Sequence, residues 1–463
     1  IYRFRGATLR NILDFEHDFP GTRVIRLEQN YRSTKRILAI ASTVIANNVG
    51  RKGKTLWTEN AEGEPARLYR AWDENEEAAF VAATIGRLRA EGVDERHMAI
   101  FYRTNAQSRV LEDALRRSAI PYVIVGGVRF YERREIKDVL AYLRLAINQS
   151  DDVAFKRAIG APSRGIGRAT LARLEEVARR EKVPLLEACE RLGDEVAAKP
   201  RRSLEEFARL VADLCELRPK LALPALIDEA LMRSGYRDAL RAERTADAEG
   251  RLENLEELVA AAEEFQHSRE SVTLEEFLDM VALLSDVDEW STERGVVTLM
   301  TLHSAKGLEF PVAFLTGMEE GVFPHVKSMD DPEELEEERR LCYVGLTRAK
   351  RQLYLSYALH RRLHGYGLGE ASRFLLEIPE EQLTLLNQRS PPPLGGEGGV
   401  RADEDEADQD LPYRVGARLR HARWGEGLLV GIERQGEEVL VTVHFASVGR
   451  KRLSLQYAHL EEI

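Results

Sequence analysis

The chain has 463 residues, 44% of them hydrophobic and 31% charged, with a mean hydropathy of −0.36 and a formal charge of −11. That length calls for about three domains, the composition is that of a soluble globular protein, and the lack of any run of eighteen apolar residues excludes a membrane-spanning helix. The acidic balance excludes a generally basic, histone-like binder, although not a nucleic-acid channel, where the local charge along a groove decides.

The first residues, IYRFRGATLR, include no initiating Met and read as neither a secretory leader nor an amphipathic presequence. The expectation is a chain truncated at its start. From 24 to 160, short apolar runs alternate with helical patterns. Val24 to Leu27, Ala66 to Trp72, Met98 to Tyr102 and Tyr122 to Val125 read as strands, with helices over 34–47, 75–91 and 106–118. Such alternation predicts a parallel sheet covered by helices. From about 131 to 294 the pattern is nearly all helical, with segments 168–181, 203–217, 224–240, 250–267 and 273–285. Strands resume at Val296 to Met300, Val312 to Leu315 and Leu353 to Tyr357, so the economical reading is a helical domain inserted into an α/β domain. Residues 388–412 are rich in Pro and Gly and then acidic, a disordered linker by composition. After it, 413–463 alternates four or five short strands with Gly-containing turns, the pattern of a small barrel of the SH3 or Tudor kind. The three cysteines, Cys189, Cys215 and Cys342, stand far apart without C-x-x-C spacing, which speaks against disulfides or zinc and fits a reducing cytoplasm.

One apparent phosphate loop fails. Gly50-Arg51-Lys52-Gly53-Lys54-Thr55 ends like a Walker A motif, but Asn48 stands where the first Gly belongs and a helix precedes it, whereas a phosphate loop must leave a strand. It reads as a basic surface loop. Four other blocks carry more: IYRFRGA at the start, LEQNYRST over 27–34, VVTLMTLHSAKGLEFPVAFLTGMEEGVFPH over 296–325, and EEERRLCYVGLTRAK over 336–350.

In that order, these blocks resemble motifs III, IV, V and VI of superfamily 1A DNA helicases of the UvrD/PcrA/Rep group. Arg103-Thr104-Asn105-Ala106-Gln107-Ser108-Arg109 resembles motif IVa. The likeness runs from residue 1 to about 385 and resumes in the barrel. It implies an α/β fold: a remnant of a first motor domain over 1–22, a second, RecA-like motor domain over 23–130 and 295–385, and an inserted helical domain over 131–294. The linker then covers 386–412 and a Tudor-like barrel 413–463. It further implies an ATP-driven, Mg²⁺-dependent helicase of 3′→5′ polarity acting in DNA repair, with the phosphate loop and metal ligands upstream. Its partners would be single-stranded DNA, single-strand/duplex junctions and, through the barrel, RNA polymerase.

The residues suit these roles. Tyr31 offers a ring for adenine, just after an expected strand whose end is a usual ligand position. Arg32 and Arg348 offer fixed positive forks for a terminal phosphate, where transferred charge develops. The alternatives are a surface helix start for Arg32 and a plain salt bridge for Arg348. Glu309 matches the family's ribose-hydroxyl acceptor; otherwise it is a surface turn carboxylate. By resemblance Thr301, His303 and Lys306 contact the DNA backbone or couple it to the nucleotide. Tyr2 and Phe4 interleaved with Arg3 and Arg5 have the stacking-plus-cation composition that grips single strands. Phe4 stands where the family usually has Trp, and buried strand positions are the alternative. Arg103, Asn105 and Arg109 suit phosphate contacts, or else form a solvated helix start. Gly165, Gly167 and Thr170, in Pro162-Ser163-Arg164-Gly165-Ile166-Gly167-Arg168-Ala169-Thr170, look like the family's duplex-contacting G-I-G element, the alternative being a turn with an N-cap. The acidic run Asp330 to Glu338 reads as a solvated loop and helix start. Two rivals share the fold: a binding module without turnover, and the motor of a helicase–nuclease. The short C-terminus, lacking a carboxylate-and-lysine constellation, speaks against the second.

Overall fold

The computed structural model describes residues 14–19, 21–49, 56–267, 272–286, 295–361 and 367–387. Towards the C-terminus it describes 418–421, 425–435, 438–445, 449–455 and 460–462. The readings placed on Tyr2, Phe4, Arg5, Lys54 and the 388–412 stretch lie outside the described residues. The chain divides into two units, 1–387 and 388–463.

The first unit is built on an eight-stranded sheet. In chain order its elements are α1 (Lys35–Ala46), β1 (Ala66–Asp73), α2 (Glu74–Ala90), β2 (Met98–Tyr102), α3 (Ser108–Arg117) and β3 (Tyr122–Ile124). Eight helices follow: α4 (Arg134–Ile147), α5 (Asp152–Ile159), α6 (Arg168–Glu181), α7 (Ala198–Leu217), α8 (Leu223–Arg233), α9 (Tyr236–Glu243), α10 (Ala246–His267) and α11 (Leu274–Asp286), not counting one-turn segments. The sheet resumes with β4 (Val297–Thr301), β5 (Phe310–Leu315), α12 (Pro332–Leu346), β6 (Ala349–Arg361), β7 (Gly367–Leu368) and β8 (Leu383–Leu385). Spatial order is β3-β4-β2-β5-β6-β1-β8, all parallel, with β7 antiparallel on β6.

Successive residues of a strand point to opposite faces, and here both faces are buried. Ile100, Leu299, Phe314 and Tyr354 pack against Val81, Ile85 and Leu88 of α2 and Val110, Leu111 and Leu115 of α3. Their neighbours Phe101, Met300, Leu315 and Leu355 pack against Ile37, Ile40 and Val44 of α1 and Leu341, Cys342 and Leu346 of α12. The helices between β3 and β4 bury a core of their own, including Ile136, Leu143, Phe155, Phe207, Leu255 and Phe277.

Several expectations are corrected. Val24 to Leu27 forms no strand; Ile25 is 71% and Leu27 79% exposed, and this stretch enters no ladder. The 224–240 helix breaks in two where Gly235 turns left-handed at φ +72°. The 203–217 helix begins earlier, at Ala198, and α4 and α5 had not been singled out. The acidic run does open α12, with Asp331 capping Glu333 N at 2.8 Å, but Glu338 is buried rather than solvated. The C-terminal unit is a five-stranded antiparallel sheet: β9 (Arg418–His421), β10 (Gly425–Gln435), β11 (Glu438–Phe445), β12 (Gly449–Ser454) and β13 (Leu460–Glu462), in the order β12-β11-β10-β9-β13. Leu419, Val441, Val443 and Leu460 are buried in it.

Candidate nucleotide half-site and the opposite sheet edge

Three separated segments meet at the amino ends of β5 and β6. Asn30 Oδ1 accepts from the backbone N–H groups of Arg32 and Ser33, both at 2.9 Å, an Asx-type turn that sets up the start of α1. The turn lies along the start of β6: Ser33 Oγ donates to Ala349 O at 2.7 Å and Thr34 N to Lys350 O at 3.2 Å. Phe310 N donates to Arg348 O at 2.9 Å, so Glu309 and Arg348 enter their adjacent strands side by side.

Arg32 Nε then donates to Glu309 Oε2 at 2.5 Å, and Nη1 to Thr347 O at 3.2 Å. Lys350 Nζ takes the other oxygen, Glu309 Oε1, at 2.6 Å. Hydrogen bonds from Lys350 and then Arg32 hold the Glu309 carboxyl down to about 2. Arg348 is held by two backbone carbonyls and one hydroxyl: Nε donates to Val344 O and Nη1 to Leu308 O, both at 2.9 Å, and Nη2 to Thr347 Oγ1 at 3.2 Å. Burial, and then the like charge of Arg32, pushes its pKa down to about 10, still far above neutrality. Three cations therefore gather around one carboxylate, and two guanidiniums are close enough to repel. Such a cluster suits a polyanion. Tyr31, 79% exposed with its hydroxyl on Gln29 Oε1 at 2.8 Å, leaves its ring open beside it. The expected strand before Tyr31 is absent, so the site rests on the amino ends of β5 and β6 rather than on a carboxyl end.

A second group gathers at the carboxyl edge of the same sheet. Tyr102 of β2 is in register with Thr301 of β4, and Leu302 N donates to Tyr102 O at 2.9 Å. Arg103 and Asn105 therefore leave β2 next to the loop that holds Thr301, His303 and Lys306. Asn105 and Lys306 are exposed. Arg103 forks onto Glu338 of α12 (Nε to Oε2 2.9 Å, Nη2 to Oε1 2.8 Å). Burial, and then the charge of Arg103, pushes the His303 imidazole down to about 4. Arg109 is not at a solvated helix start. Only 4% exposed, it meets Glu257 at 2.5 Å, Glu264 at 3.1 Å and Asp113 at 3.2 Å, and so fastens α3 to α10. Its fork faces carboxylates here.

Because β4 and β5 run parallel, residues 302–309 carry the chain back from the carboxyl edge to the amino edge. Gly307, at φ +93°, makes the turn just before Leu308 receives Arg348. Gly165, Gly167 and Thr170 lie on a separate element, the loop and first turn of α6. Gly165 turns at φ +70° and is exposed, and Gly167 caps the helix with no side chain over its first N–H groups. Beneath them Arg164 donates to the carbonyls of Ala158 (3.1 Å) and Pro162 (3.0 Å) and to Tyr142 Oη (2.7 Å). Among the described residues no group of three His, Cys, Asp or Glu side chains could hold a metal, and no helix is long and apolar enough to cross a membrane.

Sequence reasoning missed Lys350, Thr347 and Arg164 as parts of these sites. None of the three carried a signal of its own in the sequence.

Comparison with known proteins decides the family. Residues 25–360 match the UvrD-like helicase C-terminal domain, well over half of the chain. The chain belongs to that family. Residues 415–461 match the PcrA/UvrD tudor domain. The chain is 42% identical over 483 residues to the ATP-dependent DNA helicase PcrA of Bacillus subtilis (strain 168) and 44% identical over 471 residues to DNA helicase II of Escherichia coli (strain K12). Each comparison covers all of this chain and 65% of the relative. As a UvrD-like chain it has a RecA-like parallel-sheet motor fold with a helical insertion between β3 and β4, and a small Tudor-like barrel.

Proposed function

We propose that the chain is the C-terminal portion of an ATP-dependent DNA helicase that moves 3′→5′ along single-stranded DNA, acts at single-strand/duplex junctions and serves DNA repair in the cytoplasm. In this reading 23–130 and 295–385 work as the second motor domain, 131–294 as its helical insertion, and 1–22 as the end of the first. The observation that carries it is the convergence of Arg32 with Glu309 and Arg348, both more than 270 residues further along the chain, into one cationic half-site. Tyr31 stacks on the base and Glu309 accepts from the ribose. Arg32 and Arg348 stabilise charge on the terminal phosphate as it is transferred. Bound with Mg²⁺, the nucleotide supplies the phosphoryl group; the phosphate loop and the metal-binding carboxylates come from an upstream half.

Arg103, Asn105, Thr301, His303 and Lys306 follow the single strand at the opposite edge, while Gly165, Gly167 and Thr170 meet duplex; Tyr2, Phe4 and Arg5, outside the described residues, are assigned to the single strand by their stacking and cationic chemistry alone. His303, neutral at physiological pH, contributes a hydrogen bond there and not a charge. Residues 302–309 link the two edges, so closure around nucleotide shifts the grip on DNA.

The purified 463-residue chain should hydrolyse no ATP. Joined to an upstream half bearing a G-x-x-x-x-G-K-T loop and an acidic pair, it should show DNA-stimulated turnover, which Arg32→Ala or Arg348→Ala lowers by about a thousandfold. DNA-stimulated hydrolysis by the chain alone would overturn the half-site reading. DNA binding without turnover in the joined protein would favour a binding module. The barrel is assigned to RNA polymerase: residues 413–463 should retain polymerase in a pull-down, and changing Arg450, Lys451 and Arg452 should abolish it.

A further inference from the structure

Glu309 is claimed twice, one cation to each oxygen: Lys350 at 2.6 Å from Oε1 and Arg32 at 2.5 Å from Oε2. Lys350 is the second residue of β6, and the same stretch of β6 receives the Arg32 segment through the carbonyls of Ala349 and Lys350. Its backbone is thus pinned beside the ion pair that its side chain shares. Arg32 also rests on Thr347 O, whereas among the described residues the Glu309 oxygens are held by Arg32 and Lys350.

An arginine that serves a phosphate must first leave the carboxylate that holds it. If that carboxylate had no other partner, the departure would strand a negative charge beside an incoming anion, and the arginine would stay where it was. With Lys350 in place, Glu309 keeps a counter-ion throughout. We propose that Lys350 is a positioning residue for nucleotide turnover, neutralising and fixing Glu309 so that Arg32 can pass between that carboxylate and the terminal phosphate. This rests on the nucleotide reading of Arg32 given above. Lys350 need not touch the nucleotide itself.

The test is steady-state ATP turnover by the intact protein, this chain continuous with its upstream half. Lys350→Met should lower kcat by about fivefold with little change in KM, because the loss falls on a contact made in the transition state. Lys350→Arg should restore the rate. In a Glu309→Gln background, where no carboxylate remains to be neutralised, Lys350→Met should have no further effect. Three results would overturn the proposal: turnover of Lys350→Met equal to that of the unaltered protein, a rise in KM at constant kcat, or the same fivefold loss in the Glu309→Gln background. Arg32→Ala separates the two layers. Full turnover in that variant removes the parent reading and this one with it; an inactive Arg32→Ala beside an unaffected Lys350→Met removes this one alone.

Discussion

The imidazole of His303 is neutral at physiological pH, and its neighbours explain why. Part-buried and facing the Arg103 guanidinium, it takes a proton only near pH 4, against about 6.5 in an unfolded chain. Between those values the unfolded state binds more protons than the folded one, so stability rises with pH across that window and is lost as pH falls from about 6.5 to 4. His303→Gln should flatten this part of the pH–stability profile, and the His303 resonances in an NMR titration should show a midpoint near 4. A midpoint near 6.5 would contradict the environment described. Arg348 permits a second test. Its fork grips Val344 O and Leu308 O together, which a lysine ammonium on a flexible stem cannot do, so Arg348→Lys should impair turnover nearly as much as Arg348→Ala. At this scale the sequence speaks through motif order: Arg32, Glu309 and Arg348 stand in blocks that point to one site. It was silent on Lys350 and on the partners of Arg109, because a lysine or arginine looks alike whether its carboxylate lies next to it or 148 residues away.

At the scale of elements, the helical insertion is fastened to the sheet by a buried polar seam. Arg133 donates to Asn254 Oδ1 at 2.7 Å and to Ser108 Oγ at 2.6 Å, and Arg109 gathers Glu257, Glu264 and Asp113. A second tie runs from the loop after β5, where His325 Nε2 lies 3.2 Å from Glu253 and Lys327 Nζ 2.5 Å from Glu249 of α10. Removing one member of a buried ion cluster leaves charge without compensation. Arg109→Met should therefore cost about 3–5 kcal/mol in urea unfolding, and adding Glu257→Gln should recover part of that loss. A cost below about 1 kcal/mol would mean that the seam is solvated. Most element types were legible because periodicity reports them directly: continuous apolar runs gave β2, β4 and β5, and 3.6-residue spacing gave α1, α2 and α6. Two failures have physical causes. Val24 to Leu27 carries a strand pattern, but a strand exists only where a neighbour completes the ladder, and local sequence does not contain the neighbour. The break between α8 and α9 turned on one glycine whose left-handed backbone periodicity cannot register.

For the whole molecule, the division between 1–387 and 388–463 implies two separate cooperative units. Calorimetry of residues 1–387 and of 413–463, made separately, should give two transitions whose sum matches that of the intact chain. A barrel that fails to fold alone would contradict this. The parallel order β3-β4-β2-β5-β6-β1-β8 has a consequence for timing. Leu302 to Glu309 is a tether of fixed length with one end on each edge of the sheet. Slack is what such a tether cannot absorb. One extra glycine after Gly307 would leave Thr301 on β4 and Glu309 at the start of β5, yet allow either end to shift while the other stays still. The expected outcome in the intact protein is hydrolysis that continues at its unstimulated rate but no longer quickens when single-stranded DNA is added, an engine idling out of gear.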